Sequence, residues 1–243
     1  MKNFTENTRV QVPAALHLCK LGYTYLDDLT SYNPQTNILT DIFIRSVKRL
    51  NPALTDLECS QLLDKIVGIL NNDDLGKEFY TMLSSNSGVK LIDFADANNN
   101  EWHVTTEFTC ENVESGDSFR PDITCFINGL PLAFIEVKKP NNHDGILAER
   151  DRINKRMRSK SFRRFINLTQ LMIFSNNQEY DNENRVPIQG AFYCCAAKER
   201  AFFNVFREAD ATFVSKYPYL ALTEDSEKPV SYTHLRAHET LSD

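Results

Sequence analysis

The side chains best suited to chemistry in this chain are Asp122, Glu136 and Lys138. They lie on Arg120-Pro-Asp-Ile-Thr-Cys-Phe-Ile-Asn-Gly-Leu-Pro-Leu-Ala-Phe-Ile-Glu-Val-Lys-Lys-Pro140, two runs rich in β-branched and aromatic residues on either side of Asn128-Gly129. Such a pattern is a strong β-hairpin signal. Asp122 stands near the start of the first strand, and Glu136 and Lys138 near the end of the second. Charges inside apolar runs are costly unless they are paired or bound to a metal. Ile123, Cys125 and Ile127 on one strand, with Leu132, Phe134 and Val137 on the other, mark both strands as covered on both faces, as in a central pair. A polar triad at the rim of such a pair is more often a site than a surface accident. The alternative is that Asp122 is a strand-entry residue and Glu136 and Lys138 a solvated pair.

Strand residues two apart share a face, so Glu136 and Lys138 project together. Asp122 joins them only in one parity of register. A two-residue Asn128-Gly129 loop between flat strands pairs Asp122 with Ile135 and sends Glu136 to the far face. A shared site therefore requires an odd loop or a bulge, such as a three-residue loop with Gly129 in the left-handed region. Two carboxylates suit a hard cation such as Mg²⁺, which binds through one or two carboxylates and keeps waters and substrate phosphate as further ligands. The Val137 carbonyl between the key side chains could add one more. A cation there lowers the pKa of a bound water and steadies charge on a phosphoryl oxygen. Lys138 could orient the attacking water or stabilise the developing charge. Without metal, Asp122 and Glu136 repel, and at least one pKa should rise. This is the machinery of metal-assisted phosphodiester hydrolysis.

The elements that must position these residues follow from hydrophobic periodicity. Residues 6–21 read as a helix with the stripe Val10, Ala14, Leu18 and Leu21, its regular portion beginning near Val12 because of Pro13. Helices follow over 39–50, after the Thr55-Asp-Leu-Glu58 capping box, and over 75–84. At Gly88 the period changes to about 2. Val89–Phe94 and Trp102–Thr109 read as strands, then the hairpin, then a very polar helix over Asp144–Lys160. Thr169–Ser175 and Gly190–Cys195 read as strands, and Lys198–Arg207 as a helix with Phe202, Phe203 and Phe206 inward. The expected fold class is α/β, a mixed sheet flanked by helices with a helical N-terminal portion. One domain is expected over residues 1–222 (a helical portion over 1–87 and a sheet core over 88–210), with 223–243 a polar tail outside the fold.

Hydrophobic content of 42% with 8 Gly and 9 Pro is ordinary for a folded protein. No apolar run approaches the roughly 18–20 residues of a membrane helix, and no secretory signal opens the chain. The six cysteines show no Cys-x-x-Cys spacing and read as free thiols in a reducing cytosol. A net charge of −6 confines any contact with nucleic acid to a local patch. Arg150–Arg164 supplies one, with eight Lys or Arg against the single acid Asp151. Arg152, Lys155, Arg156 and Arg158 are the candidates for DNA phosphate contacts, against the alternative of a solvated helix face. Phe162 and Phe165 within the run are expected in the core. His103 and His143 read as unsupported single histidines, and His234 with His238 as tail residues with no third ligand. There is no Gly-x-x-x-x-Gly-Lys-Ser/Thr phosphate loop.

The segment Val89-Lys-Leu-Ile-Asp-Phe94, then Phe108, Arg120-Pro-Asp122, Asn128-Gly-Leu-Pro-Leu132 and Ile135-Glu-Val-Lys-Lys-Pro140 closely resembles the N-terminal nuclease domain of type I restriction endonuclease R subunits. The resemblance covers roughly residues 85–178. It implies a restriction-endonuclease-like PD-(D/E)xK fold with Asp122 and Glu136 as Mg²⁺ acids and Lys138 as the lysine. It also suggests an acid on the first helix, for which Glu6 is the candidate, unless Glu6 is merely a solvated first-turn residue. Many R subunits carry Gln-x-x-x-Tyr on the helix after the lysine. That pair is missing here, and Glu149, Arg152 or Arg156 is left to stand in. The implied activity is a cytoplasmic Mg²⁺-dependent DNA endonuclease without its own sequence specificity. The implied partners are double-stranded DNA and the methyltransferase and specificity subunits of a restriction-modification complex, with ATP used only by motor domains absent from this sequence. The alternatives are a catalytically silent DNA-binding or subunit-docking module, and a stand-alone nuclease of the same fold.

Overall fold

Helix boundaries in the N-terminal region follow local chemistry. In a computed structural model, residues 7–205 are described except 28, 30, 31, 35, 86, 112–117, 140, 141, 143, 177–190 and 198. The first helix opens as a π-helical turn, Asn7–Gln11, and continues as α1 (Val12–Lys20). Pro13 sits in the first turn of α1, directly after the π-helical turn, and supplies no N–H to the ladder there. α2 spans Thr40–Leu50. Before α3 (Asp56–Ile69), the Glu58 N–H donates to Thr55 Oγ1 (3.3 Å) and the Thr55 N–H donates to Glu58 Oε2 (2.8 Å). This is the reciprocal capping box the sequence predicts. α3 buries Cys59, Leu62, Ile66 and Ile69 along one face against Phe43 and Val47 of α2 and Phe79 of α4 (Lys77–Ser84).

The sheet is mixed, as expected for a restriction-endonuclease-like α/β fold. Its strands are β1 (Thr24–Tyr25), β2 (Trp102–Thr106), β5 (Ile123–Ile127), β6 (Leu130–Val137), β7 (Leu171–Ser175), β8 (Ala191–Cys194) and β9 (Asn204–Val205), adjacent in that order. β3 (Cys110–Glu111) and β4 (Ser118–Phe119) pair separately. β1/β2 and β6/β7 are parallel, and the other neighbours antiparallel. One face is covered by the π-helical turn and α1, whose Val10, Ala14 and Leu18 edge packs with Val104, Ile123, Cys125, Ile135 and Val137. The other is covered by α5 (Gly145–Arg158) and α6 (Arg163–Leu168), which bring Ile146, Ile153, Phe165 and Ile166 to Phe126, Phe134 and Phe174. Phe165 is buried in this core and Phe162 packs at its edge, as the sequence predicts.

Three expectations are corrected. Val89–Phe94 is not a strand. Side-chain amides take up its backbone groups instead of a neighbouring strand. Asn51 donates to the Lys90 carbonyl (2.8 Å) and accepts from the Lys90 N–H (2.9 Å), and Asn128 donates to the Leu91 carbonyl (2.9 Å). Residues 199–205 are not helical, and Asn204–Val205 extends the sheet on Phe192 and Tyr193. Phe203 stacks on Phe174 at 4.8 Å while Phe202 is exposed, so the two phenylalanines do not share an inward helical face. Trp102–Thr106 is shorter than the predicted strand, ending at Glu107, which has a left-handed φ of 55°. Phe206, His143, Glu6 and the tail with His234 and His238 lie outside the described residues. The six cysteines are free. Among the described residues, no helix is long and apolar enough to cross a membrane.

Glu101 ties α2 to the sheet. It accepts from Arg45 Nε (3.1 Å) and Nη2 (2.5 Å), Arg49 Nη1 (2.8 Å) and Ser46 Oγ (3.2 Å). The Arg45 bond outweighs burial and, with Arg49 and Ser46, pulls its carboxyl down to about 2. A depressed carboxyl stabilises the fold above its unfolded pKa of 4.5, and that stabilisation is lost as pH falls through about 2. Glu101→Gln is expected to cost about 1–2 kcal/mol at pH 7, a figure discounted for the solvent-screened arginines. Urea melts at pH 7 and pH 3 test this. The gap between parent and variant should shrink at the lower pH, and an equal gap at both would refute the assignment.

Candidate active site

The Asn128-Gly129 loop is the even, two-residue turn. Both residues have positive φ, 51° and 80°, and Ile127 pairs directly with Leu130. That is a type I′ geometry, whose twist matches the strands it joins. Of the odd loop or bulge that a shared face requires, the chain uses the bulge, further along. Phe126 pairs with Pro131 but Cys125 pairs with Ala133, leaving Leu132 as the extra residue. Leu132 is buried in the helical core, and its carbonyl accepts from the Gln170 N–H (2.7 Å). Burying such a side chain contributes about 1.5–3 kcal/mol, and its carbonyl is not left unsatisfied. Beyond the bulge Ile123 pairs with Ile135, so the next position outward sets Asp122 opposite Glu136. Alternation then gives Asp122, Glu136 and Lys138 one face, the side on which Phe134 meets α5 and α6.

Asp122 lies one residue before β5. Its Oδ2 accepts from the Val137 N–H (2.8 Å), in place of a strand carbonyl. Lys138 Nζ lies 4.0 Å from Asp122 Oδ2, 3.7 Å from Glu136 Oε2 and 3.1 Å from Glu149 Oε1. It also donates to the Val137 carbonyl (3.0 Å). The Lys138 N–H donates to the Ser175 carbonyl (2.8 Å), which fixes the strand end against β7. Glu149 comes from α5. Only 2% of its side chain is exposed, and Arg152 binds it from the outer side at 2.5 Å. Side-chain exposure falls from 22% at Asp122 through 8% at Glu136 to 2% at Glu149, so the acids run from the rim inward.

Burial raises the Glu136 carboxyl to about 8, helped by the charges of Asp122 and Glu149 and a hydrogen bond with Asp122, while Lys138 opposes the shift. A carboxyl is raised as the sequence predicts, but burial is a larger cause than the repulsion of Asp122. Burial works against the Lys138 ammonium, but Glu149, Glu136 and Asp122 together raise its pKa above the ordinary lysine value. The short contact decides the pairing. Lys138 and Arg152 neutralise Glu149, and Glu136 keeps its proton near neutral pH. Two carboxyl groups at one rim, one of them raised by burial and by its acidic neighbours, are a donor set that fits a hard divalent cation. Among the described residues no three His, Cys, Asp or Glu side chains form a metal cage by themselves. A cation that completes its shell with water and phosphate does not need one.

Of the four cations suggested for phosphate contact, Lys155 and Arg158 are exposed on α5 and Arg152 is engaged with Glu149. Arg156 turns inward, its guanidinium carbon 3.7 Å from the centre of the Phe119 ring. Burial lowers its pKa against the pull of Glu136 and Glu149. His103 is buried at the other end of β2, beside Glu101 and Arg45. One residue at the site escapes the sequence reading. Gln11, 2% exposed, donates from Nε2 to the Asp122 carbonyl (2.7 Å). No spacing signal marks it, because its role depends on α1 lying across the sheet.

Residues 3–181 match the family described as the type I restriction enzyme R protein N terminus. A protein of Methanocaldococcus jannaschii, provisionally named the type I restriction enzyme MjaIXP endonuclease subunit, is 36% identical over 162 residues. The match covers 57% of this chain and 16% of that relative's length.

Proposed function

This chain belongs to the type I restriction enzyme R protein N-terminal family, and on that premise we propose that it is the DNA-cutting portion of such an R subunit. In this reading it hydrolyses DNA phosphodiester bonds with Mg²⁺ and has no sequence preference of its own. The observation that carries the proposal is the buried cluster in which Lys138 Nζ faces Asp122, Glu136 and Glu149 within 4.0 Å. A structural ion pair needs one carboxylate. Three around one lysine, with one carboxyl raised to about 8, is an arrangement that costs stability and suits a cation-dependent site.

Asp122 and Glu136 are the residues that would hold Mg²⁺, with the Val137 carbonyl adjacent. The ion would supply a water of lowered pKa and a counter-charge for the phosphoryl oxygens. Asp122 is aimed by the Val137 N–H, and Glu136 would hold the ion as its carboxylate. Glu149, itself fixed by Arg152, holds the Lys138 ammonium between the acids, where it can orient the attacking water or meet charge developing on the scissile phosphate. Lys155 and Arg158 provide an outward cationic face for flanking phosphates. DNA selection and ATP-driven translocation belong in this reading to the methyltransferase and specificity subunits and to motor domains of a longer polypeptide.

Calorimetric titration of Mn²⁺ into the parent and Lys138→Ala, with nicking of supercoiled DNA measured alongside, tests the proposal. Lys138→Ala removes a cation that competes for the acids, so it is expected to bind Mn²⁺ at least as tightly as the parent. Its nicking should fall by about 10²-fold or more, the scale of losing one transition-state contact. A folded parent that takes up no Mn²⁺ would leave the silent docking module as the better reading. Unchanged nicking by Lys138→Ala would remove the lysine from the mechanism.

A further inference from the structure

Asp122 occupies a half-buried position at the entry to a strand, with little regular structure to aim its carboxylate. Pro121 before it has no N–H, β5 begins only after it, and its side chain must reach the Val137 N–H unaided by a regular ladder. Two irregular features converge on its backbone carbonyl. The first is Glu107, whose N–H donates to that carbonyl (3.0 Å) and whose φ of 55° is unusual for a residue with a Cβ. The second is the π-helical turn Asn7–Gln11, whose last residue sends the Gln11 amide to the same oxygen. Such π-helical turns are frequent at functional sites.

The Gln11 amide is held from both ends. Its Nε2 faces two oxygens, the Asp122 carbonyl (2.7 Å) and, more distantly, Glu107 Oε1 (3.5 Å). Its Oε1 accepts from Asn7 Nδ2 (2.6 Å). The reverse orientation would set oxygen against oxygen at the Asp122 side, so the hydrogen bonds determine which way the amide points. A buried glutamine with both ends satisfied is stiff, and here it links the first helix to the residue whose carboxylate leads the candidate site.

We propose that Gln11 is a positioning residue, fixing the Asp122 backbone so that the carboxylate is aimed both at the Val137 N–H and at a divalent cation. The metal side of this proposal rests on the functional reading above; the aiming side does not. The experiment compares the parent with Gln11→Met, which keeps the length and loses the donor, and with Asn167→Leu as a control. Asn167 is equally buried, donates to the Leu70 and Asn72 carbonyls, and lies in the packing of α6 against the N-terminal helices. Both variants should lose thermal stability.

Only Gln11→Met should speed amide hydrogen exchange at Val137, by about tenfold, in the metal-free chain. Only Gln11→Met should weaken Mn²⁺ binding, also by about tenfold, at a temperature where every variant is fully folded. If Gln11→Met fails to fold, Asn7→Ala, at an exposed position, releases the other end of the amide and should raise Val137 exchange at least threefold. Unchanged exchange at Val137 in whichever variant folds overturns the proposal. Faster exchange together with a parent that binds no Mn²⁺ upholds the aiming of Asp122 and rejects the cation site. Equal effects from Asn167→Leu reduce Gln11 to a structural role.

Discussion

Asp122→Asn is expected to abolish Mn²⁺ binding while raising the melting temperature of the metal-free chain at pH 8. The two effects share one cause. The asparagine can still accept the Val137 N–H through its side-chain oxygen, so the strand end keeps its geometry. Its NH₂ then donates to Glu136, where the parent has a second carboxylate. The Glu136 carboxyl should fall below about 8, while burial still holds it above the ordinary glutamate value. A carboxyl raised in the folded state contributes stability that is fully present below its unfolded pKa of 4.5 and lost as pH rises through about 8. The metal-free parent should therefore lose roughly 3–5 kcal/mol between those limits. The variant should lose less, and the difference between the two should be largest at pH 8. Mn²⁺ at saturating concentration should restore the parent, because the cation supplies the missing counter-charge, and should not affect the variant. Thermal melts across pH 5–9, with and without Mn²⁺, check this. A variant that binds Mn²⁺ as the parent does, or melts lower at pH 8, would show that Asp122 and Glu136 are not coupled as the geometry requires.

Gly129→Ala carries the largest expected effect on the fold itself. A Cβ at this position would lie 2.6 Å from the Leu39 carbonyl oxygen and 2.7 Å from the Phe43 nitrogen. Both are backbone atoms at the start of α2 and cannot swing aside. The φ of 80° adds a left-handed penalty of about 1–2 kcal/mol for a residue with a Cβ. Forcing the hairpin away from α2 also strains the bond from the Leu39 N–H to the Gly129 carbonyl (2.9 Å). The expected cost is about 3–4 kcal/mol, a fall of roughly 10 °C in melting temperature for a chain of this size. The hairpin register should survive, because the bulge at Leu132 and the β6/β7 pairing lie beyond the turn. A change of less than about 1 kcal/mol in urea melts would mean that α2 and the hairpin are not in contact as described.

These outcomes depend on features of different legibility. The triad was readable because strand geometry is local: Glu136 and Lys138 must share a face at a spacing of two. The demand that Asp122 join them was also readable, as a statement of parity. How the chain meets that demand was not. Asn-Gly favours an even turn on its own account, and only the packing of Leu132 into the helical core, with Gln170 bound to its carbonyl, makes a bulge there favourable. The failed strand over Val89–Phe94 has the same origin, since Leu91 and Ile92 are buried as a strand's residues would be but Asn51 and Asn128 take up its backbone from a distance.

The sequence by itself determined the hairpin, its two acids and lysine, the helix caps and the family, because each is written in spacings of a few residues or in a run of matching motifs. Tertiary structure alone decided which carboxylate meets Lys138 most closely and what holds Asp122. Glu149 is 11 positions after the lysine on a helix whose approach to the sheet is set by Ile146, Ile153 and Phe165. Gln11 lies on a helix that reaches Asp122 only because α1 covers the opposite face. Charges interact through space, with energies that change steeply over the few ångströms that packing settles. Which of the two carboxyls is raised, and what aims Asp122, are thus properties of the fold that no reading along the chain could supply.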